Sequence, residues 1–344
     1  MKFNQVVIES FAYTLPDRIL SSSEIEQSLQ STYERLKLPE GRLELMTGIK
    51  ERRYWEPGTL PSTIATEAAN LLFSKSEVKR DAVDLLINAS VCRDFLEPST
   101  ASVVHQNLKL SKNCMLFDLS NACLGVINAI MIAGNLIESG NIKNALIVSG
   151  ENSGPLLKST INELLNNQTI TRKDIKKYIA NLTIGSAGTA IMLSAKNHFP
   201  NRPEILGGVF RSDSDANHLC RGDGNPDNLF MQTDSEELLK YGISLGIETF
   251  DAFLNELKIE RSNINLVLTH QVGVAHEKLS LESFKLESNK NYKTYPTLGN
   301  TGSSALPVTL MKAFEDDQIK KDDFVALLGI GSGLVSIMLG VKWK

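Results

Sequence analysis

Two ten-residue stretches, far apart in the chain, nearly copy one another. Ile184-Gly-Ser-Ala-Gly-Thr-Ala-Ile-Met-Leu193 matches Ile330-Gly-Ser-Gly-Leu-Val-Ser-Ile-Met-Leu339 in its leading glycine and serine and in its closing apolar run. Upstream of each copy, a helical run ends in a polar segment and then a strand. These are Gly140-Asn-Ile-Lys-Asn-Ala-Leu-Ile-Val148 in the first case and Gln318-Ile-Lys-Lys-Asp-Asp-Phe-Val-Ala-Leu-Leu328 in the second. Similar glycine turns can arise once by chance, but the same features in the same order predict a duplicated α/β unit. The breakers Asn197, Pro200, Asn201 and Pro203 put the seam near residues 194–203, giving halves 1–195 and 196–344.

Within those halves, short apolar or β-branched runs at 85–90, 115–119, 145–149, 205–210, 266–269 and 324–329 read as strands, several of them buried on both faces. Helical patterns at 122–139, 236–257 and 305–316 lie between them, and the alternation predicts a layered α/β fold. A chain of 344 residues with 42% hydrophobic content can bury a large core. Residues 156–179 are more polar and carry Arg172-Lys173-Asp174 and Lys176-Lys177; they read as a solvated helical excursion in preference to a phosphate-contacting surface.

A net charge of -4 and a pI near 5.8 supply no basic field for nucleic acid or an anionic membrane. Residues 1–13 read as a strand and not as a signal peptide. The longest apolar stretch, 125–137, contains Asn128 and Asn135 and is too short to span a bilayer. Cys92, Cys114, Cys123 and Cys220 are too few and too irregular for a disulfide framework, and none forms a Cys-x-x-Cys pair. A reducing cytoplasm fits that usage. His105, His198, His218 and His276 show no metal-ligand spacing, and His276 reads as a helix-surface residue. Neither a metal nor a cofactor is expected.

Three positions stand out for chemistry. Cys123 follows the strand at 115–119 and is expected at the start of the next helix, with Asp118, Ser120 and Asn121 as capping residues. The positive end of that helix would favour a thiolate, although a buried structural cysteine fits the same position. His270 ends the strand at 266–269, where ligands collect at the carboxyl edge of α/β sheets; a satisfied core histidine is the plainer reading. Asn300 sits in the glycine-bracketed Leu298-Gly-Asn-Thr-Gly302, where a turn asparagine is expected on general grounds. The run Gly329-Ile-Gly-Ser-Gly333 lacks Walker or dinucleotide spacing and suits an oxyanion-binding backbone turn.

Together, Ser120-Asn-Ala-Cys-Leu-Gly125, Thr269-His-Gln271, Gly299-Asn-Thr-Gly302 and Gly331-Ser-Gly-Leu334 resemble, in order and spacing, the ketoacyl-carrier-protein synthase III group of the thiolase superfamily. The resemblance covers essentially the whole chain. It implies a thiolase fold, five αβαβα layers from two duplicated halves, in an obligate homodimer. It also implies a Cys-His-Asn set, here Cys123, His270 and Asn300, that condenses acyl thioesters. Ser90-Val-Cys-Arg-Asp-Phe-Leu-Glu-Pro-Ser-Thr-Ala101 is similar to the loop of the long-chain acyl-CoA condensing enzymes that begin head-to-head olefin synthesis, the OleA type. In that type a glutamate at the position of Glu97 reaches the neighbouring subunit's site; without the resemblance, Glu97 reads as an exposed turn carboxylate.

The resemblance implies an acyl group carried on Cys123 and an oxyanion held by the backbone amides of Cys123 and Ser332. His270 and Asn300 would bond the thioester oxygen of the second substrate, and Glu97 would act as the base of a non-decarboxylative Claisen condensation. Acyl-CoA is the expected partner, with acyl carrier protein as a further one. Two alternatives remain: a decarboxylative synthase III using malonyl carrier protein, and an acyl-transfer subunit of a heterodimer.

Overall fold

The computed structural model describes residues 1–222 and 229–344. Nine strands carry the architecture: β1 Val6–Thr14, β2 Leu85–Asn88, β3 Met115–Asp118, β4 Asn144–Glu151, β5 Ala187–Ala195, β6 Glu204–Ser212, β7 Leu266–Thr269, β8 Phe324–Gly331 and β9 Val335–Lys342. They form one sheet in the order β7-β8-β9-β6-β1-β5-β4-β2-β3. Its two blocks meet where Val7 of β1 pairs with Glu204 of β6.

Outward from that junction the first block runs β1, β5, β4, β2, β3 and the second runs β6, β9, β8, β7. In each block the last strand in sequence lies antiparallel to the strand before it, and the next strand outward returns parallel. The place that β3 fills beside β2 is reduced in the second block to a parallel bridge between Val267 and Asn291. The closing apolar runs of the repeated motif lie on β5 and β9.

Helices α1 Pro61–Phe73 and α2 Thr100–Leu108 cover the outer face of the first block. Helices α5 Ser235–Leu257 and α6 Val274–Phe284 cover that of the second. Between the blocks lie α3 Gly125–Glu138 and α7 Ala305–Glu315, completing five αβαβα layers. The strands read as continuous apolar runs because both faces are covered. Leu85 and Ile87 of β2 face the central helices while Leu86 faces α1 and α2; on β8, Val325 and Leu327 point inward and Ala326 and Leu328 outward. The central α3 is correspondingly apolar on nearly all sides, burying Val126, Ile127, Ala129, Ile130, Met131, Ala133 and Ile137.

Two expectations need correction. The helix after β3 begins at Gly125, not at residue 122, with Leu124 at its N-cap and no side-chain cap. Ala122 takes a left-handed φ of 46°, which breaks helical geometry just before Cys123. Asp118 caps a different helix: its carboxylate accepts from the Thr100 and Ala101 amides of α2. The second correction concerns residues 156–179, which are not a solvated excursion. They contain α4 Gly154–Asn166 and bury Leu157, Leu164, Ile170, Ile175 and Tyr178 against Ile25, Leu29 and Tyr33 in a satellite core. Among the described residues no helix is long and apolar enough to cross a membrane.

Candidate active site

Cys123 stands in the turn between β3 and α3. The turn lies tight against the sheet because Gly125 opens α3 directly over Ala89; a Cβ at Gly125 would come within 2.4 Å of the Ala89 carbonyl oxygen. On the other side, the Leu124 side chain packs onto Gly331 of β8, where an added Cβ would meet it at 2.9 Å. Leu124 therefore seats the cysteine turn against the end of β8, next to the half-buried Ser332.

Asn300 reaches the same place from the second block. Its backbone amide donates to the Thr183 carbonyl at 3.0 Å and its carbonyl accepts from Gly185 at 2.9 Å, so a bridge to the segment before β5 fixes the turn. Its side-chain oxygen accepts from Gly302 N at 3.1 Å. The Asn300 side chain lies close enough to the Cys123 sulfur to favour its charged form.

His270 follows β7 and is 3% exposed, its amide donating to Leu328 O at 3.0 Å. Gln271 ties it to the Asn300 segment. The Gln271 side-chain oxygen accepts from Thr294 N at 2.7 Å and Tyr295 N at 3.0 Å, while its amide donates to Thr269 O at 2.6 Å. Nδ1 of His270 is buried without a hydrogen-bond partner.

The electrostatics differ from the expectation of a helix-activated thiolate. Cys123 keeps partial solvent access, but burial pushes its thiol up to about 12, and the negative charge of Glu151 and the nearby Cys220 add to the rise. Its own backbone amide and the Asn300 side chain oppose it. The thiol lies two residues before the first helical residue, is buried and has a carboxylate acting on it, so the dipole does not win. Burial likewise lowers His270 to about 3, with His276 second.

Glu97 is exposed and makes no hydrogen bond among the described residues. The site thus brings the Asn300 side chain near the Cys123 sulfur, links His270 to the segment before Asn300 through Gln271, and gives Glu97 no bond to any of them.

Two residues were missed. His276 is not a simple surface residue: its ring meets that of His270 edge-on, centroids 6.5 Å apart and planes at 87°, and its Nδ1 is buried without a partner. Glu151 ends β4, a strand with seven of eight residues buried. An acidic residue closing Ala-Leu-Ile-Val-Ser-Gly-Glu151 was the available signal. Among the described residues there is no group of three or more His, Cys, Asp or Glu side chains able to hold a metal ion.

The model of the 3-oxoacyl-[acyl-carrier-protein] synthase III family matches residues 117–214, and that of the family's C-terminal region matches residues 254–343. The chain belongs to this family of acyl-condensing enzymes. It is 37% identical to an acyl-CoA:acyl-CoA alkyltransferase of Xanthomonas campestris pv. campestris, over 100% of both chains. It is 27% identical to a β-ketoacyl-[acyl-carrier-protein] synthase III of Clostridium tetani, again over 100% of both. The crystal structure of Xanthomonas campestris OleA with bound lauric acid and lauroyl-CoA superposes with a TM-score of 0.94 at 37% identity, covering 99% of this chain and 100% of that one. The synthase III membership, the five-layered fold and the OleA-type resemblance all stand.

Proposed function

We propose that this synthase III-family protein joins two acyl-CoA molecules by a non-decarboxylative Claisen condensation through an acyl-Cys123 intermediate. The observation that carries this reading is that Asn300, in a turn bridged to the segment before β5, acts on the sulfur of Cys123, in the turn after β3, in the sense that favours its charged form. The relative named acyl-CoA:acyl-CoA alkyltransferase, alike over its full length, supports the choice of two CoA thioesters over a malonyl donor.

In the first step the Cys123 sulfur attacks the carbonyl carbon of one acyl-CoA, and CoA leaves with the thiol proton. Backbone amides of Cys123 and Ser332 hold the oxyanion; one such donor lowers a barrier by about 3 kcal/mol. In the second step Glu97 takes an α-proton from the second acyl-CoA, and His270 and Asn300 bond the enolate oxygen. The new carbanion attacks the acyl carbonyl, a carbon-carbon bond forms, the bond to sulfur breaks, and the product is a 2-alkyl-3-ketoacyl thioester.

Glu97 meets a site only if a second copy supplies one. We read the molecule as a homodimer, and the surface fits: Val91, Phe95 and Leu96 of the Glu97 loop, Met115 on the edge strand β3, and Ile132 and Phe210 are all exposed, Leu96 at 95%. The four free thiols fit a cytoplasmic location. The recurring strand order supports residues 1–195 and 196–344 as two copies of one unit.

The test gives purified protein a long-chain acyl-CoA with no malonyl donor and seeks free CoA and a β-keto acid, or its ketone breakdown product, by mass spectrometry. Condensed product that disappears in Cys123→Ala is expected. Glu97→Gln is expected to form acyl-Cys123 but no carbon-carbon bond. A wild-type protein that stops at acyl-Cys123 until malonyl carrier protein is added would move the assignment to the decarboxylative reaction.

A further inference from the structure

The condensation needs the Asn300 turn fixed in its own subunit and the Glu97 loop held so that it reaches the site of a second copy, and the two segments lie far apart in sequence. One buried side chain touches both. Glu151, 3% exposed at the end of β4, accepts through Oε1 from Val91 N at 2.9 Å, Ser303 N at 3.1 Å and Ser303 Oγ at 2.7 Å, and through Oε2 from Cys92 N at 3.2 Å. Val91 and Cys92 begin the loop that leads to Glu97; Ser303 lies three residues past Asn300. Gly302 is pressed against the same carboxyl group, since a Cβ there would come within 3.0 Å of its carbon. The Glu151 carbonyl accepts from Trp55 Nε1 at 3.1 Å, which anchors the strand end.

We propose that Glu151 is a positioning residue that locks the loop leading to Glu97 and the turn holding Asn300 into one rigid unit and sets an unneutralised charge beside the resting Cys123. This rests on the condensation reading given above. Among the described residues Glu151 makes no salt bridge; its carboxylate is held by amide and hydroxyl donors alone. Such donors satisfy a buried carboxylate without cancelling its charge. Burial is the larger cause of the raised Cys123 thiol, and the Glu151 charge beside it adds to the rise, as it does for Cys92. Among the described residues, the charges that act on Cys123 are those of Glu151 from β4 and Cys220 from the short strand Cys220–Gly222. Once the sulfur is acylated it carries no charge to repel, so the penalty falls on the resting thiolate and not on the acyl-enzyme. Free thiolate is the form that oxidants and stray electrophiles attack. Glu151 therefore protects the nucleophile while fixing the geometry for the carbon-carbon bond.

Two variants of the full-length protein separate charge from position. Glu151→Gln removes the charge; Glu151→Asp keeps it but shortens the reach. The first readout is the pH profile of iodoacetamide alkylation at Cys123, followed by peptide mass. Glu151→Gln should shift the profile to lower pH, and Glu151→Asp should leave it near wild type. The second readout is turnover: condensation should fall by about ten- to a hundredfold in both variants, with acyl-Cys123 formation kept within a few-fold. A Glu151→Gln protein that alkylates with the wild-type profile, or that condenses at the wild-type rate, overturns the proposal. Should neither variant fold, Ser303→Ala removes one donor to the same carboxylate and should reduce condensation a few-fold; an unchanged rate there also overturns it. Alkylation is read without acyl-CoA, so a wild-type protein that fails to condense would sink the functional reading without touching the electrostatic half of this one.

Discussion

The cysteine pocket and the histidine pocket sit at the ends of equivalent blocks and solve opposite problems by the same means. Cys123 is an acid whose charged form is negative, and burial beside Glu151 drives its titration up to about 12. His270 is a base whose charged form is positive, and burial beside His276 drives its titration down to about 3. Low polarity penalises charge of either sign, so both groups rest neutral. The comparison teaches that this site holds no preformed thiolate-imidazolium pair. The thiol proton must leave in concert with thioester attack, and a weakly basic imidazole suits hydrogen bonding to a developing enolate better than storing a proton.

The sharpest way to break that comparison is to titrate the thiol. Alkylation of Cys123 by iodoacetamide near neutral pH should run about a thousandfold slower than in the unfolded chain, because the thiolate is that much rarer, and its rate should still be climbing well above pH 9. A plateau reached below pH 8 would mean that the helix beyond Leu124 stabilises the thiolate after all, and the two pockets would cease to be a matched pair.

Next in size is the consequence of removing the imidazole. His270→Ala should reduce condensation by about a hundred- to a thousandfold, the effect expected on losing a donor aimed at developing negative charge. Acyl-Cys123 should still accumulate and be visible by intact mass. Loss of acylation as well would show that His270 takes the thiol proton, and the comparison would become that of an ordinary acid-base pair.

How much of this the chain displayed depends on which physical signal a feature leaves. Residues 266–269 were read as a strand and are one, because a short apolar run with β-branched residues ends at a polar step. Cys123, His270 and Asn300 were legible as ordered motifs, and the Asn300 side chain acts on the cysteine sulfur. The start of α3 was misplaced because a left-handed Ala122 leaves no mark in composition; the close approach of Gly125 to Ala89 demands it only once the sheet is assembled. Glu151 and His276 went unread for a related reason. Each acts through a neighbour that is distant in sequence or a helical turn away, and a carboxylate or an imidazole on its own is most often a solvated surface group. Packing converts them into groups that add to the effect of burial on the thiol and the imidazole.

The smallest expected effect concerns stability and tests the histidine side alone. His270 ordinarily titrates at 6.5 but at about 3 in the folded protein, so between those values the unfolded chain binds more protons at this site than the folded one. The His270 contribution to stability must therefore fall as pH drops below about 6.5, and at pH 5 it is a loss on the order of 2 kcal/mol. Denaturant unfolding of wild type and His270→Leu at pH 7 and at pH 5 isolates it: the variant should lose less stability between the two conditions by about that amount, whatever its absolute stability. Equal losses would mean that solvent or a shifted Glu97 loop reaches the imidazole and lets it charge at mild pH. In that event the histidine pocket is not sealed as the cysteine pocket is, and proton storage by His270 during catalysis becomes the better account.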